Sequence, residues 1–425
     1  MVPSGLDAVV LAVVKLPSAA ASDPAPQRGE PATAFLLRCV AAGFRPAALV
    51  GSWFGYDAVV APHVLLDDQT SHGGRWFFGY RAYEAADAMP EEAPNQTQLL
   101  GGHADRVFAL RDGVWFQLLP VETGGSFREI ELADAVVELQ PETLSPSVPI
   151  RWDLSATRLE KLQQEHRHAV EQCLEAIRAG EVYQTCISTR FTVSYGEPLS
   201  YSERLRTAAK WFCTKAEHYQ PSRAAFLPGD EAHPTLASLS PEEFLIRRGN
   251  VVRESPIKGT VPADHDPEEL LRSRKDVAEN IMIVDLVRHD LGQVANVGGV
   301  KVTDLLAIRP APGVWHLVSE VTAELPPKLT HHELIDACFP PASVTGTPKL
   351  RAAELLRGWE LQRRGVHCGA IGAAVGDALE LNVAIRTVEF YPDCVAAGVG
   401  GGITIDSTPE GEWQEILAKA RPLLG

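Results

Sequence analysis

Apolar residues recur at helical spacing over residues 155–179, where Leu159, Leu162, Ala169, Val170, Cys173, Leu174 and Ile177 share one face and Ala179-Gly180 ends the run. Elsewhere the pattern changes to short apolar runs of the kind that form strands, at 184–194, 223–228, 244–255, 368–376, 379–390 and 393–405. Neighbouring runs are separated by brief turns, Gly376-Asp377-Ala378 and Tyr391-Pro392-Asp393, so they are expected to pair as antiparallel hairpins. Strands and helices follow no regular alternation and no repeat of fixed period occurs. The expected architecture is α+β: large antiparallel β-sheets packed face to face, with helices on the outside.

The first 150 residues are richer in loops. Pro and Gly punctuate short apolar runs such as 33–43 and 75–85, and the acidic, Pro-rich stretch 87–96 reads as an exposed loop. The apolar run 8–14 has no basic residue before it and Lys15 after it, which favours a first β-strand over a signal peptide. A connection at 141–153 divides the chain into a region 1–150 and a region 151–425.

Composition narrows the classes. With 425 residues, 45% hydrophobic and 22% charged, the chain can bury a sizeable core and is neither disordered nor fibrous. Its 39 basic against 55 acidic side chains give a formal charge of −16, which disfavours nucleic acid and anionic lipid as partners. No stretch approaches the ~20 apolar residues of a membrane span. Seven scattered cysteines without a CxxC spacing argue against a disulfide framework and against a zinc site, and fit a reducing cytoplasm.

Two acidic helices stand out in the C-terminal half. In 273–291, Val277, Ile281, Val284 and Leu291 are expected to form the buried stripe, with Asp276 and Glu279 three apart beside it. In 406–420, Ser407 or Thr408 can cap, Pro409 suits the first turn, and Glu412 and Glu415 are again three apart. Brought together, two such pairs would suit Mg²⁺, a hard cation that takes oxygen ligands. The alternative is a solvated acidic face, with Glu415 simply paired to Lys419 four residues on.

Residues 398–402 hold four glycines in five positions, leaving backbone N–H groups free to approach an anion. Thr345, Gly346 and Thr347 precede Pro348 at a helix start, another place where anions bind. A tight turn or an ordinary cap explains either feature equally simply. Arg386 lies inside an apolar run and needs an anionic partner. Lys258, between Pro256-Ile257 and Gly259-Thr260, sits in a rigid turn that can aim an amine at a ligand, although a surface lysine fits the same pentapeptide.

In combination and in this order, EVYQTCISTRF (181–191), SLSPEEFL (238–245), PIKGT (256–260), AENIMIVDLVRHDLG (278–292), HLVSEVTAEL (316–325), FPPASVTGTPKLRAAELL (339–356), RGVHCGAIG (364–372), LNVAIRT (381–387) and the 398–420 ending resemble the chorismate-utilising enzymes. That family includes anthranilate synthase component I, aminodeoxychorismate synthase component I, and the isochorismate and salicylate synthases. The N-terminal region resembles it more weakly, chiefly through residues 73–85.

The resemblance implies a site. Glu279 and Glu415 fall where the family ligates Mg²⁺, with Asp276 and Glu412 as further carboxylates. Arg386 and the backbone of Gly400, Gly401 and Gly402 fall where it grips the enolpyruvyl carboxylate of chorismate, with Thr345 and His316 lining the pocket. Glu242 occupies the position of the general acid. Gln184 stands where the isochorismate and salicylate synthases carry a water-activating lysine, so water is not expected as the nucleophile. Lys258 makes the pentapeptide look like that of aminodeoxychorismate synthase component I, in which the lysine adds covalently to the ring before ammonia displaces it. No Gly-x-Cys-x-Gly glutaminase turn is present, so a separate glutamine amidotransferase is expected to supply ammonia. His289 and Thr347 depart from the usual Asn and Ala, and His367 stands where a Tyr commonly reaches toward the substrate. The N-terminal region lacks the segment with which many relatives bind tryptophan. The competing readings are an anthranilate or 2-amino-2-deoxyisochorismate synthase component, and a silent chorismate-binding scaffold.

Overall fold

Alternation with period two places one set of side chains from each strand on one face and the next set on the other, and two antiparallel sheets use both faces. In the computed structural model, described over residues 24–67, 75–86, 99–120, 127–132, 147–311 and 313–425, the first sheet has eleven strands. Their spatial order is Gly346–Thr347, Gln184–Ser194, Cys394–Ile403, Thr387–Phe390, Thr235–Ser238, Arg223–Leu227, Ala47–Trp53, Tyr56–Ala61, Val107–Arg111, Val114–Pro120 and Phe127–Glu131. The second runs Ile257–Pro262, Val314–Glu324, Val251–Glu254, Glu243–Arg248, Ala378–Val383, Ala370–Val375, Trp76–Arg81, Leu100–Ala104 and Leu65–Asp67, with Val300–Ala311 also paired to Val314–Glu324. Both sheets draw strands from either side of residue 150, since Ala48 faces Phe226 and Phe78 faces Ala373 in their ladders.

The layers follow from which residues alternate. Ala47, Leu49 and Val59 of the first sheet meet Trp76, Phe78, Ile371 and Ala373 of the second in one dry cluster between the sheets. The opposite faces, with Ala48, Val60, Phe226 and Val399 on one sheet and Phe244, Leu381 and Val321 on the other, are covered by helices. Ala32–Ala41, Ala156–Arg178, Tyr201–Tyr219 and Pro409–Leu424 pack on the first sheet, and Arg274–Gly292 and His331–Cys338 on the second. Between the sheets Arg223 is held by Glu380 at 2.6 Å and lies over the Trp53 ring, a buried ion pair in which the guanidinium also donates to the Ser52 carbonyl. The expected α+β sandwich is therefore the observed one.

Several elements differ from the pattern reading. The run 244–255 is a hairpin turning at Gly249-Asn250, and 379–390 is two strands, because there the chain leaves the second sheet and enters the first. On Arg274–Gly292 the buried face is Glu279, Asn280, Ile283, Val284, Val287, Asp290 and Leu291, while Ile281 is 48% exposed. The fully buried Asn280 shifts the stripe, its amide donating to the Leu317 carbonyl and its oxygen accepting from Ser319. Lys258 lies in a strand rather than a turn, and Gly346-Thr347, just before the expected helix start at Pro348, also pair with Thr185 and Gln184. The expected strand at 8–14, the loop at 87–96 and the start of the 141–153 connection lie outside the described residues.

Candidate active site

Two crossings between the sheets lie side by side. Residues 239–242 carry the chain from Thr235–Ser238 to Glu243–Arg248, and residues 384–386 carry it back from Ala378–Val383 to Thr387–Phe390. The Leu239 amide donates to the Arg386 carbonyl, and the Asn382 side chain donates to the Ser240 carbonyl, locking them together. Glu242 thereby enters the interior, whereas Arg386 adopts φ +48° and keeps an accessible side chain, although its surroundings desolvate the guanidinium enough to lower its pKa. The expectation of an arginine buried within a strand is corrected on this point. Arg386 is exposed beside His316, and among the described residues no carboxylate lies within ion-pair distance of it.

The strand Cys394–Ile403 forms the floor. It pairs with Thr387–Phe390 only as far as Ala397, so Gly400, Gly401 and Gly402 keep a strand partner on one edge alone. Without side chains they let others approach. A methyl group on Gly402 would come within 3.5 Å of Glu279 Oε2 and 3.9 Å of Lys258 Nζ, whereas one on Gly401 would meet Glu412 at 3.1 Å and Glu415 at 3.5 Å. Folding thus gathers Lys258, Glu279, Glu412 and Glu415 around two consecutive glycines.

Lys258 donates from Nζ to the Ser343 carbonyl at 3.0 Å, an anchor supplied by the 339–347 segment. Gly259 after it has φ +84°, where the ladder with Val314–Glu324 slips, and Asp276 packs so close that a side chain there would be crowded as well as strained. His316, next along the same ladder, bonds Thr260 through Nδ1 at 2.9 Å, and burial followed by the Arg386 charge holds its imidazole below the usual range.

The acidic groups fall into two environments. Glu242 is 6% exposed, and burial raises its carboxyl above the usual range against the opposing Lys258 charge; its Oε1 has no hydrogen-bond partner. Behind it Glu254 is pushed up to about 8, first by burial and then by the neighbouring Asp290, which is itself paired with Lys349. Near the glycines, burial also raises Glu279 and Glu412. Glu415 is held low because Lys419, at 2.6 Å, together with Lys275 and Lys258 outweighs its burial. The pairing of Glu415 with Lys419 is therefore present, as the alternative reading of that helix allowed.

Among the described residues no three His, Cys, Asp or Glu side chains converge closely enough to enclose a metal ion. The donor set nevertheless suits a hard cation: Glu279 Oε1 and Glu412 Oε2 are buried without hydrogen bonds, Lys275 lying 3.9 Å from the first, and each carboxylate lies beside another that raises its proton affinity. Asp276 is half-buried on the same helix as Glu279.

The remaining expected residues divide. Thr345 is buried and donates to the Pro341 carbonyl, and Gln184 is buried with its side-chain oxygen unpartnered. His367 is buried, with Nε2 3.2 Å from Ser188 Oγ. His289 is exposed, and the Thr347 hydroxyl is buried without a partner. Sequence reasoning passed over Ser343, Glu254, Asp290, Lys349 and Ser188; a lysine and an aspartate 59 positions apart carry no local signal that they will meet.

Residues 56–425 match the family model for chorismate binding enzyme. Aminodeoxychorismate synthase component 1 of Salmonella typhimurium is 38% identical over 283 residues, covering 64% of this chain and 58% of that protein. The protein of the same name from Escherichia coli is 35% identical over the same length and shares. The chain thus spans under two thirds of the length of these relatives. Among solved structures, the menaquinone-specific isochorismate synthase of Escherichia coli superposes with a TM-score of 0.69 at 17% identity, over 92% of this chain and 91% of that one. Anthranilate synthase component I from Streptococcus pneumoniae gives 0.63 at 20% identity, over 89% and 90%. The two share its fold.

Proposed function

The chain belongs to the chorismate binding enzyme family, and on that premise we propose that it aminates chorismate at C4, with loss of the C4 hydroxyl, to give 4-amino-4-deoxychorismate. The observation that carries this reading is that Lys258, 3.9 Å from where a side chain on Gly402 would begin, lies close enough to the buried Glu242 for its charge to oppose the burial that raises that carboxyl. Acting as the free amine, Lys258 bonds through its nitrogen lone pair to C2, the ring double bond shifts, and the C4 hydroxyl leaves as water on taking the Glu242 proton; the alkylated nitrogen then returns a proton to Glu242. Ammonia next bonds to C4, the double bond shifts back, and the C2–N bond breaks as Glu242 protonates the departing Lys258 amine; the new C4 ammonium gives its proton back to Glu242. Arg386, without a protein carboxylate, and His316 beside it are the groups that would orient the substrate anion, with Thr345 and Gln184 closing the pocket around it.

Glu279 and Glu415, with Glu412 and Asp276 beside them, would hold Mg²⁺, which when bound supplies positive charge against the substrate's carboxylates. Ammonia would come from a separate glutamine amidotransferase subunit. A cytoplasmic location fits seven cysteines of which none forms a disulfide, and no helix among the described residues is long and apolar enough to cross a membrane.

The decisive experiment incubates the protein with chorismate and Mg²⁺ but no ammonia, then weighs it intact. A covalent adduct on the peptide containing Lys258, absent from Lys258→Ala and discharged by an ammonium salt into 4-amino-4-deoxychorismate, is the expected result. An alanine variant that retains its rate, with no adduct trapped, would leave direct amination, as in the anthranilate branch, as the better mechanism.

A further inference from the structure

Along the strand Cys394–Ile403, residues 398, 400 and 402 present the same face, and all three are glycine. Over Gly402 stand Lys258 and Glu279. Two residues back, about 7 Å along a strand, a methyl group on Gly400 would meet the Ser188 hydroxyl at 2.8 Å. Over Gly398 lies the ring of His367, which a methyl group there would strike at 2.2 Å. Ser188 and His367 therefore continue the wall that Lys258 begins.

The Ser188–His367 contact fixes the direction of a proton. His367 is 2% exposed, and its Nδ1 has no partner. Burial, then the charges of Arg364, Arg190 and Lys419, hold the ring well below the ordinary histidine range, so it is neutral and carries one hydrogen. A hydrogen on Nδ1 would be a buried donor with nothing to meet, whereas on Nε2 it is donated to Ser188 Oγ at 3.2 Å. The serine oxygen is then the acceptor, and its own hydrogen is free to point over Gly400. The Ser188 backbone is held in place as well, its N–H donating to Glu360 Oε1 at 2.8 Å, and the side chain remains partly accessible.

We propose that Ser188 is a substrate-positioning residue that donates a hydrogen bond to an oxygen of the bound carboxylic acid lying over Gly400 and Gly402, and that His367 acts through Ser188 by accepting no contact of its own and fixing the hydroxyl. The assignment rests on the reading that chorismate lies along this floor. His367, expected from the sequence to reach the ligand, is here one residue removed from it.

Chorismate binding and steady-state amination with an ammonium salt test this in four variants. Ser188→Ala should raise the dissociation constant and KM for chorismate about tenfold with kcat little changed, and Ser188→Thr, which keeps the hydroxyl, should restore both to within about twofold of the wild type. His367→Phe should reproduce the alanine effect, and the double variant should be no worse than either single one, because both remove the same contact. A Ser188→Ala protein that binds chorismate like the wild type, a threonine variant that fails to rescue, or effects that add in the double variant would each overturn the assignment. If wild-type protein does not bind chorismate at all, the underlying reading falls first and this one with it.

Discussion

Glu242 and Glu254 on one side, and Glu279, Glu412 and Glu415 on the other, are the same residue in two surroundings, and the surroundings assign them different chemistry. The first pair lies in the interior, where burial is the largest influence on each and raises both carboxyls, that of Glu254 to about 8. The second group lies around Gly401 and Gly402, with Lys275 3.9 Å from Glu279 and Lys419 2.6 Å from Glu415. Two of its oxygens, Glu279 Oε1 and Glu412 Oε2, are buried without a hydrogen bond. In the first region burial acts with no cation, among the described residues, within ion-pair distance of either carboxylate; in the second, Lys275 and Lys419 stand directly against the carboxylates. Lys258 stands between them, its charge acting on both Glu242 and Glu279.

The contrast breaks most visibly at Glu242. Glu242→Gln keeps the shape and removes the transferable proton, so amination should fall by roughly 10²–10⁴-fold while chorismate binding and thermal unfolding remain near wild type. Rates unchanged in steady-state assays would remove Glu242 from the mechanism and make its burial merely structural.

On the other side the expected loss is smaller and can be compensated. Wild-type turnover should stop on chelation and return with added Mg²⁺, and Glu279→Gln or Glu415→Gln should each raise the half-saturating Mg²⁺ concentration by about 10–100-fold without unfolding the protein. Activity that survives chelation would show that the lysines around the glycines suffice as counter-charges.

Why the sequence discloses one region better than the other is physical. The hairpins were legible because period two and short turns are local, and Lys258, Glu242, Glu279 and Glu415 were legible because each sits in a distinctive block whose order along the chain is itself informative. The break at 384–386 was not, because it arises where a strand changes sheets, a tertiary event that leaves Arg386 outside any strand. The stripe on Arg274–Gly292 was misread because a polar residue, Asn280, occupies its most buried position with both amide atoms engaged across 37 and 39 residues. Glu254, Asp290 and Lys349 were invisible for the same reason, as was Ser188 beneath His367.

Glu254 supplies the third test, through stability rather than rate. In the folded protein its carboxyl titrates near pH 8, in the unfolded chain near 4.5, so between those values the native state holds a proton that the unfolded state has lost. Stability from this group must then decline as pH rises through that window, with a slope of up to about 1.4 kcal/mol per pH unit. Glu254→Gln should flatten the decline, so that its stability relative to wild type in urea unfolding improves from pH 5 to pH 8. Parallel curves for the two proteins across that range would mean that Lys349, not burial, governs the carboxyl.

The smallest effect is expected at Asp276, and it decides how many carboxylates the cation side contains. Its spacing from Glu279 suggested a second ligand on the same helix, yet the structure leaves it half-buried, packed against Gly259, with its charge acting mainly to raise the proton affinity of Glu279. Asp276→Asn removes that like charge while keeping the packing. Glu279 then ionises more readily, which favours a cation, and one nearby negative charge is lost, which disfavours it. At about 0.5–1 kcal/mol for each partly exposed charge, the two nearly cancel. Half-saturating Mg²⁺ should therefore move by less than about threefold, against at least tenfold for Glu279→Gln. Equal shifts in the two titrations would restore Asp276 as a direct ligand and return the site to the four-carboxylate cage that the spacing alone suggests.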